Sequence, residues 1–223
     1  MTNLQARLSD NGFVDLGVVN NLDVLALARD LGRPVPSVAG GELVDKLGAP
    51  RLDGYSSREF ATVYGDGPIP FHTDCPYQDP PPRYAILRLR SDAWSERATL
   101  FVDFAAAILS PMARLLLERE PWYVDDGLTP RRLTHVLRRD PESGRDILGW
   151  DANCMTPYFR RRASAATVID EVMNTASVRA VQWLPGQTVI FDNWRLLHAL
   201  AAAPSGKRPL HPHRILERVL VAT

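Results

Sequence analysis

Phe71-His72-Thr73-Asp74 sets an imidazole and a carboxylate two residues apart, just after the turn-forming Gly65-Asp66-Gly67-Pro68. On a strand, residues i and i+2 point to the same face, so His72 and Asp74 would converge on one point. One nitrogen and one oxygen ligand make up two-thirds of the 2-His-1-carboxylate set, which binds non-haem Fe(II) and leaves coordination positions open. With 5 His and 26 Asp+Glu in 223 residues, chance alone supplies about 0.6 such pairs, so a third ligand must come from elsewhere in the chain. The competing reading is a strand-end histidine held by a neighbouring carboxylate for structure alone.

A second stretch, Pro185 to His198, reads as a Pro-Gly turn, an apolar strand and the polar corner Asp192-Asn193-Trp194-Arg195, which delivers His198 near a strand end. Arg214 and Arg218 follow, four residues apart and therefore on one face of a final strand over Ile215–Val221. Around these two stretches the sequence predicts many short strands. They are Phe13–Leu16, Leu43–Val44, Phe60–Tyr64, Tyr84–Leu89, Thr99–Val102, Leu133–Arg138, Ile147–Trp150, Val178–Trp183 and Thr188–Phe191. Helices are expected over Leu4–Leu8, over Leu22–Leu31 behind an Asn21 cap, after Ser110-Pro111, and over Ala165–Met173. The composition of elements is mainly β with flanking helices. It predicts one domain over residues 1–223, built on a β-sandwich or jelly roll.

Zero net charge, with no like-charge run beyond Arg160-Arg161-Arg162, argues against a nucleic-acid surface. No apolar stretch reaches membrane-span length, and the first residues lack a basic segment followed by an apolar run. Cys75 and Cys154 stand far apart in no paired motif, so neither a disulfide framework nor a zinc knuckle is expected. A cytoplasmic location follows as the default.

In Phe71-His72-Thr73-Asp74, in Asp192 to His198 and in His213-Arg214-Ile215-Leu216-Glu217-Arg218, the chain resembles the taurine dioxygenase-like Fe(II)/2-oxoglutarate-dependent dioxygenases. That group also includes γ-butyrobetaine hydroxylase and clavaminate synthase. The resemblance covers nearly the whole chain and implies the double-stranded β-helix form of the jelly roll. It implies His72, Asp74 and His198 as iron ligands, Arg214 as the clamp on the distal carboxylate of 2-oxoglutarate, and Thr99 as a further contact to that cosubstrate. The residue types suit those tasks. Arginine offers a fixed fork of donors to one carboxylate, and a threonine hydroxyl adds a neutral hydrogen bond. The implied cofactors are Fe(II), 2-oxoglutarate and O2, with no catalytic side chain beyond the metal ligands.

The implied reaction is hydroxylation of a small molecule, with desaturation or cyclisation open from the same chemistry. By resemblance Arg218 would hold an anionic group of the substrate, such as an amino acid or small-acid derivative. The internal alternative is an ion pair between Arg218 and a carboxylate such as Asp103 or Asp192. Tyr77, Gln78 and Tyr158 are candidates to line the substrate pocket. Two other classes remain beside this reading. One is a cupin-like metal-dependent isomerase or hydrolase, which would have no task for a keto-acid clamp. The other is a non-catalytic 2-oxoglutarate or metabolite sensor, which would not need all three iron ligands.

Overall fold

The computed structural model describes residues 2–47, 64, 67–93, 95, 97–125, 127, 130–159, 164–202 and 215–223. Residues 60–63 of the strand expected over Phe60–Tyr64, and Gly65 and Asp66 of the turn before His72, lie outside them, as do Arg214, His211 and His213. Fifteen strands appear among the described residues. They are β1 (Phe13–Val18), β2 (Arg33–Val35), β3 (Asp45–Leu47), β4 (Ile69–His72), β5 (Tyr84–Leu89), β6 (Thr99–Asp103), β7 (Trp122–Val124), β8 (Arg132–Thr134), β9 (Leu137–Arg139), β10 (Asp146–Leu148), β11 (Met155–Pro157), β12 (Val178–Val181), β13 (Gln187–Asp192), β14 (Leu196–Leu200) and β15 (Leu216–Ala222). The helices are α1 (Thr2–Asn11), α2 (Val24–Leu31), α3 (Pro111–Arg119) and α4 (Ser164–Thr175), with a short 3-10 turn at Phe104–Ala106.

Two antiparallel sheets form the body. The larger runs β1-β13-β5-β15-β2 with β3 also on β15, and the smaller runs β12-β6-β14-β4. Alternation along the larger sheet divides its side chains between two cores, as period-two geometry requires. Ala85, Leu87, Val189, Phe191, Leu216 and Leu220 meet Phe101, Val181 and Leu196 of the smaller sheet. Tyr84, Ile86, Ile190, Val219 and Val221 face the other way and pack under Leu8 of α1 and Val24, Ala28 and Leu31 of α2. Covered on both faces, β13 is buried along its whole length, which is why Thr188 to Phe191 reads as an apolar run rather than an alternating one. A third core joins α3 and α4 to the outer face of the smaller sheet through Val102 and Leu197.

Three expectations change in detail. The α2 cap is Asp23, whose carboxylate accepts from the Leu25 and Ala26 N–H groups at 3.0 Å each. Asn21 instead occupies a turn at φ +52°. The expected strand at Leu133–Arg138 is two strands, β8 and β9, which pair with different neighbours. The weak strand at Leu43–Val44 lies slightly later, as β3, because Asp45–Leu47 are the residues in register with β15. At the end of α2, Gly32 sits so close to β15 that a Cβ there would lie 2.3 Å from the Ala222 carbonyl oxygen. Replacing Asp23 by Ala removes the acceptor for two otherwise orphaned N–H groups, and it should cost about 1 kcal/mol in denaturant unfolding. Asn21→Gly, at a left-handed position, should cost nothing measurable.

Candidate metal centre

The two histidines are placed by strand register. His198 lies within β14 rather than at its end, directly opposite His72 of β4 on one side and Phe101 of β6 on the other. Directly opposed residues of an antiparallel ladder point to the same face, and the imidazole ring centroids are 4.2 Å apart. Phe191 and Phe101 support His198, with centroids at 4.9 and 6.2 Å. The His72 Nδ1 lies 2.8 Å from the Pro70 carbonyl oxygen. A carbonyl can only accept, so Nδ1 carries the proton and Nε2 presents the lone pair, the arrangement usual behind a metal-bound histidine.

Asp74 reaches the same point by other means. β4 stops at His72, and the next three residues are held from outside the strand. Thr73 exchanges hydrogen bonds with Trp150: its N–H donates to the Trp150 carbonyl at 2.7 Å, and its hydroxyl accepts from the Trp150 N–H at 2.9 Å. Asn193, fully buried, grips the Asp74 backbone from both sides. Its Oδ1 accepts from the Asp74 N–H at 2.7 Å, and its Nδ2 donates to the Asp74 carbonyl at 3.0 Å and to that of Pro82 at 2.8 Å. Cys75 then turns into the left-handed region at φ +51°.

The nitrogen and oxygen ligand atoms of His72, Asp74 and His198 all lie within 4.8 Å of one another, the one such group among the described residues. The Asp74 side chain is 1% exposed. Burial would raise its pKa, but Arg218 and the two histidines outweigh that and hold it below the ordinary carboxylate value. Desolvation, with His72 beside it, depresses His198 to about 3, so the ring is neutral and able to ligate at physiological pH. Asp74 Oδ1 is engaged by Arg218 Nη1. Its Oδ2 is buried with no hydrogen-bond partner and faces His198 Nε2 at 3.7 Å. A dry anionic oxygen without a donor, beside two imidazoles, is the donor set a divalent metal satisfies. A structural His–carboxylate pair would not leave that oxygen bare.

The other sequence candidates fall at varied distances from this group. Thr99 is buried on β6 and shares the inward face of Phe101 and His198, two cross-strand pairs along. Its hydroxyl accepts from Trp183 Nε1 at 2.9 Å. Arg218 projects toward the centre from β15, but its partners are Asp45 and Asp74, not Asp103 or Asp192. Asp103 binds Arg195 through both oxygens, and Asp192 lies near Arg83. Tyr77 and Gln78 spend their donors on backbone: the Tyr77 hydroxyl reaches the Ser37 carbonyl at 3.0 Å, and Gln78 Nε2 reaches those of Pro36 and Ser37 at 3.1 and 3.0 Å. They tie the loop that carries Asp74 to the segment before β3. Tyr158 is exposed and packs on Tyr123 and Phe159.

Sequence reasoning passed over Asn193 and Asp45. Asn193 stood inside the quoted corner, and its pairing with a peptide 119 residues away has no local signature. Replacing Asn193 by Ala strips three buried backbone groups of partners. It should cost about 2–4 kcal/mol of stability and weaken metal binding more than any change at exposed Tyr158, as read by denaturant unfolding and metal titration of the same samples.

Comparison with solved structures agrees with the architecture. An asparagine oxygenase, solved with Fe(II), 3-hydroxyasparagine and succinate, superposes with a TM-score of 0.72 at 18% identity, covering 99% of this chain and 78% of that one. The non-heme iron oxygenase OrfP, solved with Fe and alpha-ketoglutaric acid, gives 0.70 at 16% identity over 99% of this chain and 78% of its own. PvcB from Pseudomonas aeruginosa gives 0.66 at 18% over 99% and 79%. No curated protein matches the sequence. The model of the taurine catabolism dioxygenase TauD, TfdA family matches residues 12–219, nearly the whole chain, and with the double sheet and the buried triad in place this protein belongs to that dioxygenase family.

Proposed function

We propose that this chain is an Fe(II)- and 2-oxoglutarate-dependent oxygenase that hydroxylates a small organic substrate, with amino acids the leading class. The observation that carries the reading is the buried convergence of His72, Asp74 and His198, with Asp74 Oδ2 left without a donor, in a chain that the dioxygenase family model spans. Iron(II) bound there, with 2-oxoglutarate and O2, supplies the oxidation that turns a substrate C–H into C–OH while the keto acid becomes succinate and CO2. This chain's residues do the rest. The two histidines and Asp74 would hold the metal, and Phe101 and Phe191, packed on the His198 ring, keep that ring in place and shielded from water.

In this reading Arg214 clamps the distal carboxylate of 2-oxoglutarate and Thr99 assists. The amino-acid class draws on the ligands of similar folds: 3-hydroxyasparagine in the asparagine oxygenase and (3S)-hydroxy-L-Arg in OrfP. With desaturation or cyclisation the metal site would be the same. Two free, buried cysteines suit a reducing compartment, and no helix among the described residues is long and apolar enough to cross a membrane. A cupin-like isomerase would give the keto-acid clamp no task, and a sensor would have no need of all three ligands.

Anaerobic addition of Fe(II) and 2-oxoglutarate should produce a weak visible charge-transfer band. His72→Ala, Asp74→Ala and His198→Ala should each lose it while remaining folded. A full-strength band in any one variant removes that residue from the ligand set. Arg214→Lys keeps the charge but loses the fork, so it should raise the 2-oxoglutarate requirement by roughly ten-fold or more, about the loss of one charge-assisted hydrogen bond. Unchanged 2-oxoglutarate affinity in calorimetry would place the clamp elsewhere. Succinate release across amino acids, small acids and neutral analogues then identifies the substrate class.

A further inference from the structure

Arg218 is the least explained side chain of the site, because its whole guanidinium fork is consumed inside the protein. Nη1 binds Asp74 Oδ1, while Nε and Nη2 reach Asp45 Oδ2 at 3.2 and 2.8 Å. The three side chains are almost dry, at 14% exposure for Arg218, 11% for Asp45 and 1% for Asp74. Asp45 is itself fixed. It is the cross-strand partner of Arg218 between β3 and β15, and its other oxygen accepts from the Ser37 hydroxyl at 3.2 Å. The Ser37 carbonyl is in turn held by Tyr77 and Gln78 from the loop that follows Asp74. A closed circuit therefore runs from the metal-ligand loop through Ser37, Asp45 and Arg218 back to Asp74.

We infer that Asp45 is a positioning residue for the metal centre, acting through Arg218 on the iron-ligand carboxylate. The inference rests on the iron-site reading above. Two consequences of the geometry support it. By holding Oδ1 of Asp74, the anchored fork leaves Oδ2 as the oxygen that would be free to bind a metal. Asp45 also balances the guanidinium charge. Asp74, Arg218 and Asp45 together carry one net negative charge; without the Asp45 charge, Asp74 and Arg218 cancel, and a dication meets a neutral pair in a place with little water to screen it. Partners behind a metal ligand commonly set metal affinity in this way.

Full-length protein, stripped of metal, would be titrated anaerobically with Co(II), whose visible absorption reports binding without turnover, alongside thermal unfolding of the apoprotein. Asp45→Asn keeps the shape and removes the charge. It should weaken Co(II) binding by roughly 10–100-fold, and Asp45→Glu should restore most of the loss. A residue that served only to join β3 to β15 would lower the melting temperature and leave the affinity of the folded fraction unchanged, and that result overturns the proposal. Should Asp45→Asn fail to fold, Ser37→Ala removes only the hydroxyl that orients Asp45. It should weaken Co(II) binding by roughly two- to five-fold, part of the worth of one hydrogen bond to a carboxylate, and an unchanged affinity there is equally fatal. If the unaltered protein binds no Co(II) or Fe(II), the oxygenase reading fails first; if it binds and Asp45→Asn binds as well, only the role of Asp45 falls.

Discussion

A carboxylate that water scarcely reaches, yet which stays ionised, is the constraint around which the site is arranged. Moving such a group from water into the interior costs several kcal/mol after relaxation, and Asp74 has no route out of it. Arg218 supplies the opposite charge, Asn193 fixes the peptide that carries the side chain, and Thr73 is locked to Trp150 so that the loop cannot swing. The compensation is deliberately incomplete. One oxygen is served by the guanidinium and the other is left without a donor, so the remaining stabilisation falls to whatever occupies the space between the two histidines.

That division of labour explains why two sheets are needed. The smaller sheet positions the two imidazoles by register alone, since His72, His198 and Phe101 are successive cross-strand partners on β4, β14 and β6. The larger sheet contributes charge, because the β15 residues that face inward include Arg218 between Leu216 and Leu220. The Asp192-Asn193-Trp194-Arg195 corner joins them. It leaves β13 of the larger sheet, enters β14 of the smaller one, and on the way bonds to the Asp74 loop through Asn193, to Pro81 through Trp194 and to Asp103 through Arg195. A shift of one residue in that corner would turn His198 away from His72, because strand side chains alternate.

The parts of this that were legible in the sequence are those written in local pattern. Strand β5 and the buried run of β13 showed as apolar stretches of strand length, and Ser110-Pro111 showed as a helix start. The convergence of His72, Asp74 and His198 was legible because His-x-Asp and a distant His come in a fixed order within recognisable surroundings. The geometric reason first attached to them was only half right. The pleat accounts for His72, but Asp74 lies past the strand and owes its position to Asn193 and Arg218. What could not be read were pairings across long sequence separations. Asp45 sits 173 residues from Arg218 in a Gly-punctuated segment with no periodicity, and nothing local marks it as that arginine's partner. Tyr77 and Gln78 brace the loop through the Pro36 and Ser37 carbonyls, contacts some forty residues away that no local pattern announces.

The same pairing changes what Arg218 can say about the substrate. An unpaired buried guanidinium would demand an anion, and the choice of an acidic or amino-acid substrate would follow from one side chain. Here the demand is already met twice over, by Asp45 and Asp74. With all three nitrogens of the fork engaged by Asp45 and Asp74, a substrate carboxylate could reach Arg218 only by breaking an ion pair of similar strength in a site with little water. Arg218 by itself therefore does not call for an anionic substrate, and the charge of the substrate must be read by other side chains.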